Sequence, residues 1–351
     1  MHLKNPSTLQ NKGYVFFDSG TMKKFISFLM KQGELIAAHK KGEKSYVFKT
    51  ADNVDDVILD YPRTIQPLKE FFLPSKETLL NFNLQKNDFE LPEIEVKKRI
   101  FFGIHSYELQ AVHILDYNFK RGNPESNYLK KREQNLFIGI SYTPDDYHFG
   151  KSVGLEIEKT EGMCLFIEPV ELGYFLFVID DSGLKLLTDF SSEAVTLKTD
   201  TIIPRPKEFK KKIKYHYNRL PQVFDNVYNS KVWEKVSEKC VGCGTCNLLC
   251  PTCYCFDVRD EIELDTINGK RERFWDGCML NTFAETADGE NFRDKLHNRT
   301  RHRLFRKFKY ITEHSGELSC VGCGRCTCFC PANISIIDII NNLIEEVSLN
   351  S

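Results

Sequence analysis

CVGCGTCNLLCPTCYC, residues 240–255, places six cysteines in sixteen positions, and CVGCGRCTCFCP, residues 320–331, repeats its opening eighty positions later. Both runs read C-x2-C-x2-C-x3-C-P. The first is Cys240, Cys243, Cys246, Cys250 and Pro251; the second is Cys320, Cys323, Cys326, Cys330 and Pro331. Three cysteines two residues apart let one tight loop wrap three corners of a 4Fe–4S cubane. The fourth leaves on a helix and reaches the other cluster. Gly242, Gly244, Gly322 and Gly324 let backbone N–H groups approach the sulfurs. Each proline removes a donor just past the fourth cysteine. Zinc, the competing metal, takes paired C-x2-C ligands, usually with the pairs well apart, and two complete proline-closed runs fit it poorly. The eight cysteines are therefore the expected ligands of two 4Fe–4S clusters. The spacing predicts that Cys240, Cys243 and Cys246 share a cluster with Cys330, and Cys320, Cys323 and Cys326 share the other with Cys250. Two cubanes amount to about eight iron atoms per chain.

Outside these runs the chain is poor in cysteine. Only Cys164 precedes position 240, inside MCLFIEPV, where a buried core thiol is expected. Cys253, Cys255, Cys278 and Cys328 lie near the runs. They leave open a further cluster, a redox thiol or plain buried packing. The shift in composition divides the 351 residues into about two domains. Residues 1–205 form the first and 222–351 the second. The basic, proline-bearing IPRPKEFKKKIKYHYNRLP (203–221) supplies a linker over 206–221, its lysines forming a solvated face.

The N-terminal part reads as mixed α and β. SGTMKKFISFLMKQ (19–32) carries Met22, Phe25, Ile26 and Leu29 at helical spacing, with Gly33 to end the helix. ELIAAH and SYVFKT flank a hairpin-like KKGEK. RIFFGI (99–104) and NLFIGIS (135–141) are strands, with a helix over SYELQAVHILDY between them. MCLFIEPV, GYFLFVID and LKLLTDF are expected as three further strands. Phe101, Gly103 and His105 read as a strand end packed into the core. In the C-terminal part WEKVSEK leads into the first run as a helix. ISIIDIINNLIEEV puts Ile336, Ile337, Ile340, Leu343, Ile344 and Val347 on one helical stripe that packs on the core. The fold class is α+β: a mixed α/β scaffold, then a mostly helical two-cluster domain of ferredoxin type.

Hydrophobic residues make up 41% and charged residues 28%, and the net charge is −1. No global field draws such a chain to nucleic acid or membrane. MHLKNPSTLQ lacks the apolar run of a signal peptide, and no stretch is long and apolar enough for a membrane span. A cytoplasmic setting follows, in which thirteen cysteines point to metal rather than disulfides. One segment suggests a protein of another class. NFRDKLHNRTRHRLFRKFKY (291–310) holds Arg293, Lys295, Arg299, Arg301, Arg303, Arg306, Lys307 and Lys309 against Asp294 alone. That is the charge signature of a nucleic-acid binder with structural clusters. Neutralising anionic clusters or clamping carboxylates explains it better, because the chain's net charge is near zero.

Several blocks together resemble one family. They are DYPRTIQPLKEFFLPSKETLLNF (60–82), RIFFGIHSYELQAVHILD (99–116), the CPTCYC extension, RERFWDGC (271–278), GENFR (289–293) and the second run with its ANIS. The chain resembles the beta subunits of archaeal and bacterial sulfhydrogenases, soluble NAD(P)-linked nickel–iron hydrogenases. It is also similar to the electron-transfer subunits of anaerobic sulfite reductases. The resemblance implies an electron-transfer role without a catalytic site of its own. Its partners would be a flavin-containing reductase subunit that handles NAD(P)H, together with a catalytic subunit, hydrogenase or reductase. The chain departs from the family at four positions. Members often carry cysteines where Tyr107, Tyr142, His148 and Gly150 stand. No cluster is expected in the N-terminal half; Tyr107 and Tyr142 are expected to fill that space, their hydroxyls partnered.

Overall fold

The computed structural model describes residues 11–193, 195–200, 202 and 207–349. Residues 1–10 and 203–206, which carry the leader reading and the start of the linker, lie outside the described residues. The strands are β1 (Tyr14–Phe17), β2 (Glu34–Lys41), β3 (Ser45–Thr50), β4 (Lys76–Asn83), β5 (Asp88–Glu90), β6 (Arg99–Ile104), β7 (Asn135–Ile140), β8 (Leu165–Val170), β9 (Gly173–Val178), β10 (Phe256–Ile262) and β11 (Asn268–Trp275). Seven make one sheet in the order β1-β9-β8-β7-β6-β2-β3. β2, β6, β7 and β8 run parallel at its centre, and antiparallel partners close both edges.

Alternation along the central strands sorts their side chains into two layers. Ile100, Phe102, Ile138 and Ile140 face the helix Ser19–Gln32, whose Met22, Phe25, Ile26 and Leu29 are buried as the spacing predicts. Phe101 and Phe137 face the other way, stacked 5.1 Å apart, against Leu109, Val112 and Leu115 of the helix Ser106–Lys120. Asp18 caps the first helix through the N–H of Thr21 at 2.7 Å.

LKLLTDF is not a strand. Residues Asp181–Ser191 form a helix, capped by Asp180 on the N–H of Gly183 at 3.0 Å. Leu186 and Leu187 enter the same core as the first helix. A Cβ on Gly183 would lie 2.1 Å from the Cys164 carbonyl, so the glycine sets how closely this helix lies on β8. The cap and the small residue outweigh the short apolar run that suggested a strand. Cys164 is buried, and burial pushes its thiol up to about 12.

A second sheet, β10-β11-β4-β5, pairs β4 with β11. Main-chain hydrogen bonds therefore join residues 76–83 to residues 268–274. Outside those strands the C-terminal part is built of helices joined by irregular loops. Its core gathers Leu220, Phe224, Trp233, Leu304, Phe305 and Phe308 around the helix Ile336–Leu349, whose Ile336, Ile337, Ile340, Leu343 and Ile344 are buried. The molecule is thus α+β, with its cysteine runs in the C-terminal part. The strap after residue 206 is tied down along its length. Lys207 meets Glu168 at 2.7 Å, and Phe209 and Ile213 are buried. Among the described residues no helix is long and apolar enough to cross a membrane.

Candidate iron–sulfur site

The two runs adopt one geometry. Gly242 and Gly322 have φ of 68° and 63°, and Gly244 and Gly324 have φ of 74° and 75°. This left-handed backbone is where glycine costs nothing and other residues are strained. Each second glycine starts a short helix, Thr245–Leu248 or Arg325–Cys328, and the two helices pack on each other. The N–H of Leu248 reaches Gly244 O at 3.1 Å, and that of Cys328 reaches Gly324 O at 2.9 Å. Both runs then turn through matching bonds, Cys250 N to Asn247 O at 3.1 Å and Cys330 N to Thr327 O at 3.2 Å.

This pseudo-symmetric pairing brings the cysteines into two groups. One apolar cavity is lined by Cys240, Cys243, Cys246, Cys326 and Cys330. The other is lined by Cys250, Cys320, Cys323 and Cys326. Each cavity thus takes its fourth-position cysteine from the opposite run, with Cys326 at the boundary between them. Arg303 lines both. All thirteen cysteines are free thiols. Burial pushes Cys246 up to about 12 and Cys323 up to about 11, so binding iron there displaces protons.

The surroundings fit an anionic iron–sulfur core. Arg303 Nε and Arg325 Nη1 are buried donors without a protein acceptor. Arg303 also donates to Cys246 O at 3.2 Å, and its charge is favoured by Cys246, Cys326 and Cys250 against its own burial. Four residues on, Lys307 donates to Thr252 Oγ1, which donates to Ser319 O at 2.8 Å. Arg303 lies in the helix Leu296–Phe305 and Lys307 in the π-helical stretch Arg306–Tyr310 that continues it. Several of the other basic residues of 291–310 are also engaged. Arg301 stacks 3.9 Å over Tyr228, Arg306 lies 5.2 Å from the Tyr254 ring centre, and Lys309 pairs with Asp225 and Glu313. The stretch turns its charge inward and onto neighbours.

Sequence reasoning missed how residues 60–72 serve the site. Arg63 Nε donates to Cys323 O at 3.2 Å, Thr64 accepts from Arg325 at 2.8 and 2.9 Å, and Lys69 Nζ donates to Cys253 O at 3.2 Å. Each contact spans more than 180 positions, so spacing carried no signal for it. The loop before Gly150 closes the same side. A Cβ on Gly322 would lie 2.5 Å from Gly150 N, and one on Gly324 would lie 2.4 Å from Tyr147 O.

Tyr107, Tyr142 and His148 converge at the carboxyl ends of β6 and β7, with ring centres 5.1 to 5.5 Å apart. His105 stacks between Tyr61 at 4.2 Å and Tyr142 at 4.4 Å. The Tyr107 hydroxyl accepts from His105 Nδ1 at 2.8 Å and donates to Pro62 O at 3.1 Å. Burial holds His105 well below the usual imidazole range, so it is neutral. Asp145 is held below the usual carboxylate range, despite burial, by His148 and Arg63. Tyr107, Tyr142 and His148 are buried rings at these positions, and the Tyr107 hydroxyl is partnered on both sides.

Residues 239–334 match the 4Fe–4S dicluster domain family. Over 340 residues the chain is 32% identical to sulfhydrogenase 2 subunit beta of Pyrococcus furiosus, covering 95% of this chain and 98% of that protein. The chain belongs to the sulfhydrogenase beta-subunit family. It is an iron–sulfur, electron-transfer subunit carrying 4Fe–4S clusters, and the match runs through the N-terminal sheet as well as the cysteine runs. No solved structure matches it.

Proposed function

We propose that this sulfhydrogenase beta-family chain relays electrons between a flavin subunit handling NAD(P)H and a nickel–iron catalytic subunit, in the cytoplasm. It holds two 4Fe–4S clusters. Cys240, Cys243, Cys246 and Cys330 bind one; Cys320, Cys323, Cys326 and Cys250 bind the other. Such clusters supply one-electron chemistry at potentials set by charge, hydrogen bonds and burial. The observation that carries the reading is the pair of adjoining cavities with Arg303 between them. Two sites sharing a wall suit a relay; a single structural cluster would need neither the second site nor the shared cation.

The chain's own residues have definite tasks. Arg303 and Lys307 compensate negative charge inside the fold. Arg63 and Arg325 fix the second run against the α/β scaffold, proposed as residues 1–205. The mostly helical two-cluster module is proposed as residues 222–351. Cys243 is the exposed cysteine of the eight and has Val241 beside it, 68% exposed. The edge of the first site is therefore where a redox partner approaches.

The test is purification of the native complex under anaerobic conditions, with its subunits identified. Both a flavin subunit and a nickel–iron subunit are expected, and NAD(P)H should reduce this chain's clusters only when the flavin subunit is present. Isolation as a lone chain with salt-dependent nucleic-acid affinity would contradict the proposal.

A further inference from the structure

Cys253, Cys255 and Cys278 belong to neither cavity described above, yet the fold brings them together. Cys253 and Cys278 are each 5% exposed. The buried amide of Asn247 donates from one nitrogen to both sulfurs, at 3.4 Å to Cys278 and 3.7 Å to Cys253. Gly277 permits this approach, since a Cβ there would lie 2.7 Å from Asn247 Cβ. The main chain at Cys255 joins the same loop: its carbonyl accepts from the N–H of Asp276 at 3.4 Å, two residues before Cys278.

The charges around the group do not balance within the protein. Lys69 is buried there, and so is Lys307, which also lines the second cavity. Lys69 donates to Cys253 O and lies 4.1 Å from the Trp275 ring centre; Lys307 donates to Thr252. Neither forms an ion pair with a carboxylate among the described residues. Buried cations need a compensating anion, and the acidic groups at hand are these thiols and the buried Asp276. Single-ion binding is the simplest use of three thiols. Among the described residues, however, no three His, Cys, Asp or Glu side chains converge as they must around one ion. A cubane spreads its thiolates over separate iron corners and has no such requirement.

The geometry points to a third iron–sulfur cluster, a 4Fe–4S cubane held by Cys253, Cys255 and Cys278, with its fourth iron on a ligand other than cysteine. Asp276, buried on the same loop, is the nearby carboxylate for that corner. The site adjoins both others. Asn247 follows Cys246 of the first run, and Thr252 lies between Cys250 and Cys253. The CPTCYC and WDGC segments, which the two-cluster pattern leaves unexplained, then have a common purpose.

Full-length protein purified anaerobically is assayed for iron, acid-labile sulfide and zinc, with electron paramagnetic resonance of the reduced state. About twelve iron and twelve sulfide per chain are expected, three cubanes' worth. Cys278→Ser should remove about four of each and one reduced-state signal. Cys255→Ser, at a more exposed position, should do the same and guards against misfolding of the first variant. About eight iron in the wild type overturns the proposal, whether one zinc per chain accompanies it or mass spectrometry finds a Cys253–Cys255 disulfide. Unchanged iron in both variants overturns it too.

Discussion

Arg325 and Glu108, 217 positions apart, form an ion pair buried from solvent at both ends. Arg325 lies inside the second cysteine run, and Glu108 lies in the first turn of the helix behind β6. Glu108 also accepts from the N–H of Leu68 at 3.2 Å. This one carboxylate therefore joins the cysteine run, the α/β layer and the 60–72 segment. Glu108→Ala leaves the guanidinium buried without its carboxylate, at a cost of about 3–5 kcal/mol. Guanidinium denaturation of anaerobic protein should show that loss. The Glu108→Leu/Arg325→Met double variant should recover most of it, because the stranded charge is gone.

Arg303 is the shared wall of the two cavities, and its charge favours the reduced, more negative clusters. Arg303→Gln should lower both midpoint potentials by tens of millivolts, on the scale of about 59 mV per tenfold change for one electron. Redox titration followed by resonance spectroscopy measures this. Potentials that stay fixed would remove Arg303 from any tuning role.

On the proposed ligation, cluster binding would tie together segments eighty positions apart and so contribute to folding of that region. Cys250→Ala and Cys330→Ala should each lower iron content and speed hydrogen exchange across residues 232–349. The seven-stranded sheet has two apolar layers of its own and should stay protected. β4 is the instructive element: paired to β11, it should loosen with the C-terminal part although it lies early in the chain.

His302 gives a pH dependence of known sign. Burial, then Arg293 and Arg301, lower its imidazole from 6.5 to about 4. The unfolded chain binds this proton more readily than the folded one. Stability from neutral His302 is therefore complete above about pH 6.5 and is lost as pH falls toward 4. His302→Gln should flatten the decline between those values relative to wild type. Equal slopes for the two proteins would show that the imidazole titrates normally.

The cysteine runs are readable because their ligands are close in sequence and their glycines mark the turns. The central strands and the helix at 19–32 are readable because apolar residues recur at clear periods. LKLLTDF misleads because so short an apolar run fits a buried helix and a strand alike. Its decisive features are Asp180 and Gly183 just before it. β4, β5, β10 and β11 give little signal: LLNF and FDVRDEI alternate weakly, and their pairing is long-range. Arg63, Thr64 and Lys69 look like ordinary polar residues in sequence. Their importance comes from where the fold carries them. The four departures at Tyr107, Tyr142, His148 and Gly150 are visible only by resemblance; the convergence of the first three needs coordinates.

The central claim is that the two runs exchange their fourth cysteine to build one paired redox unit. Anomalous diffraction at the iron edge, on crystals of anaerobically purified protein, tests it most directly. The account predicts Cys330 Sγ bonded to the cluster that Cys240, Cys243 and Cys246 hold, and Cys250 Sγ bonded to the cluster of Cys320, Cys323 and Cys326. Cys250 and Cys330 each found on the cluster of its own run would contradict it.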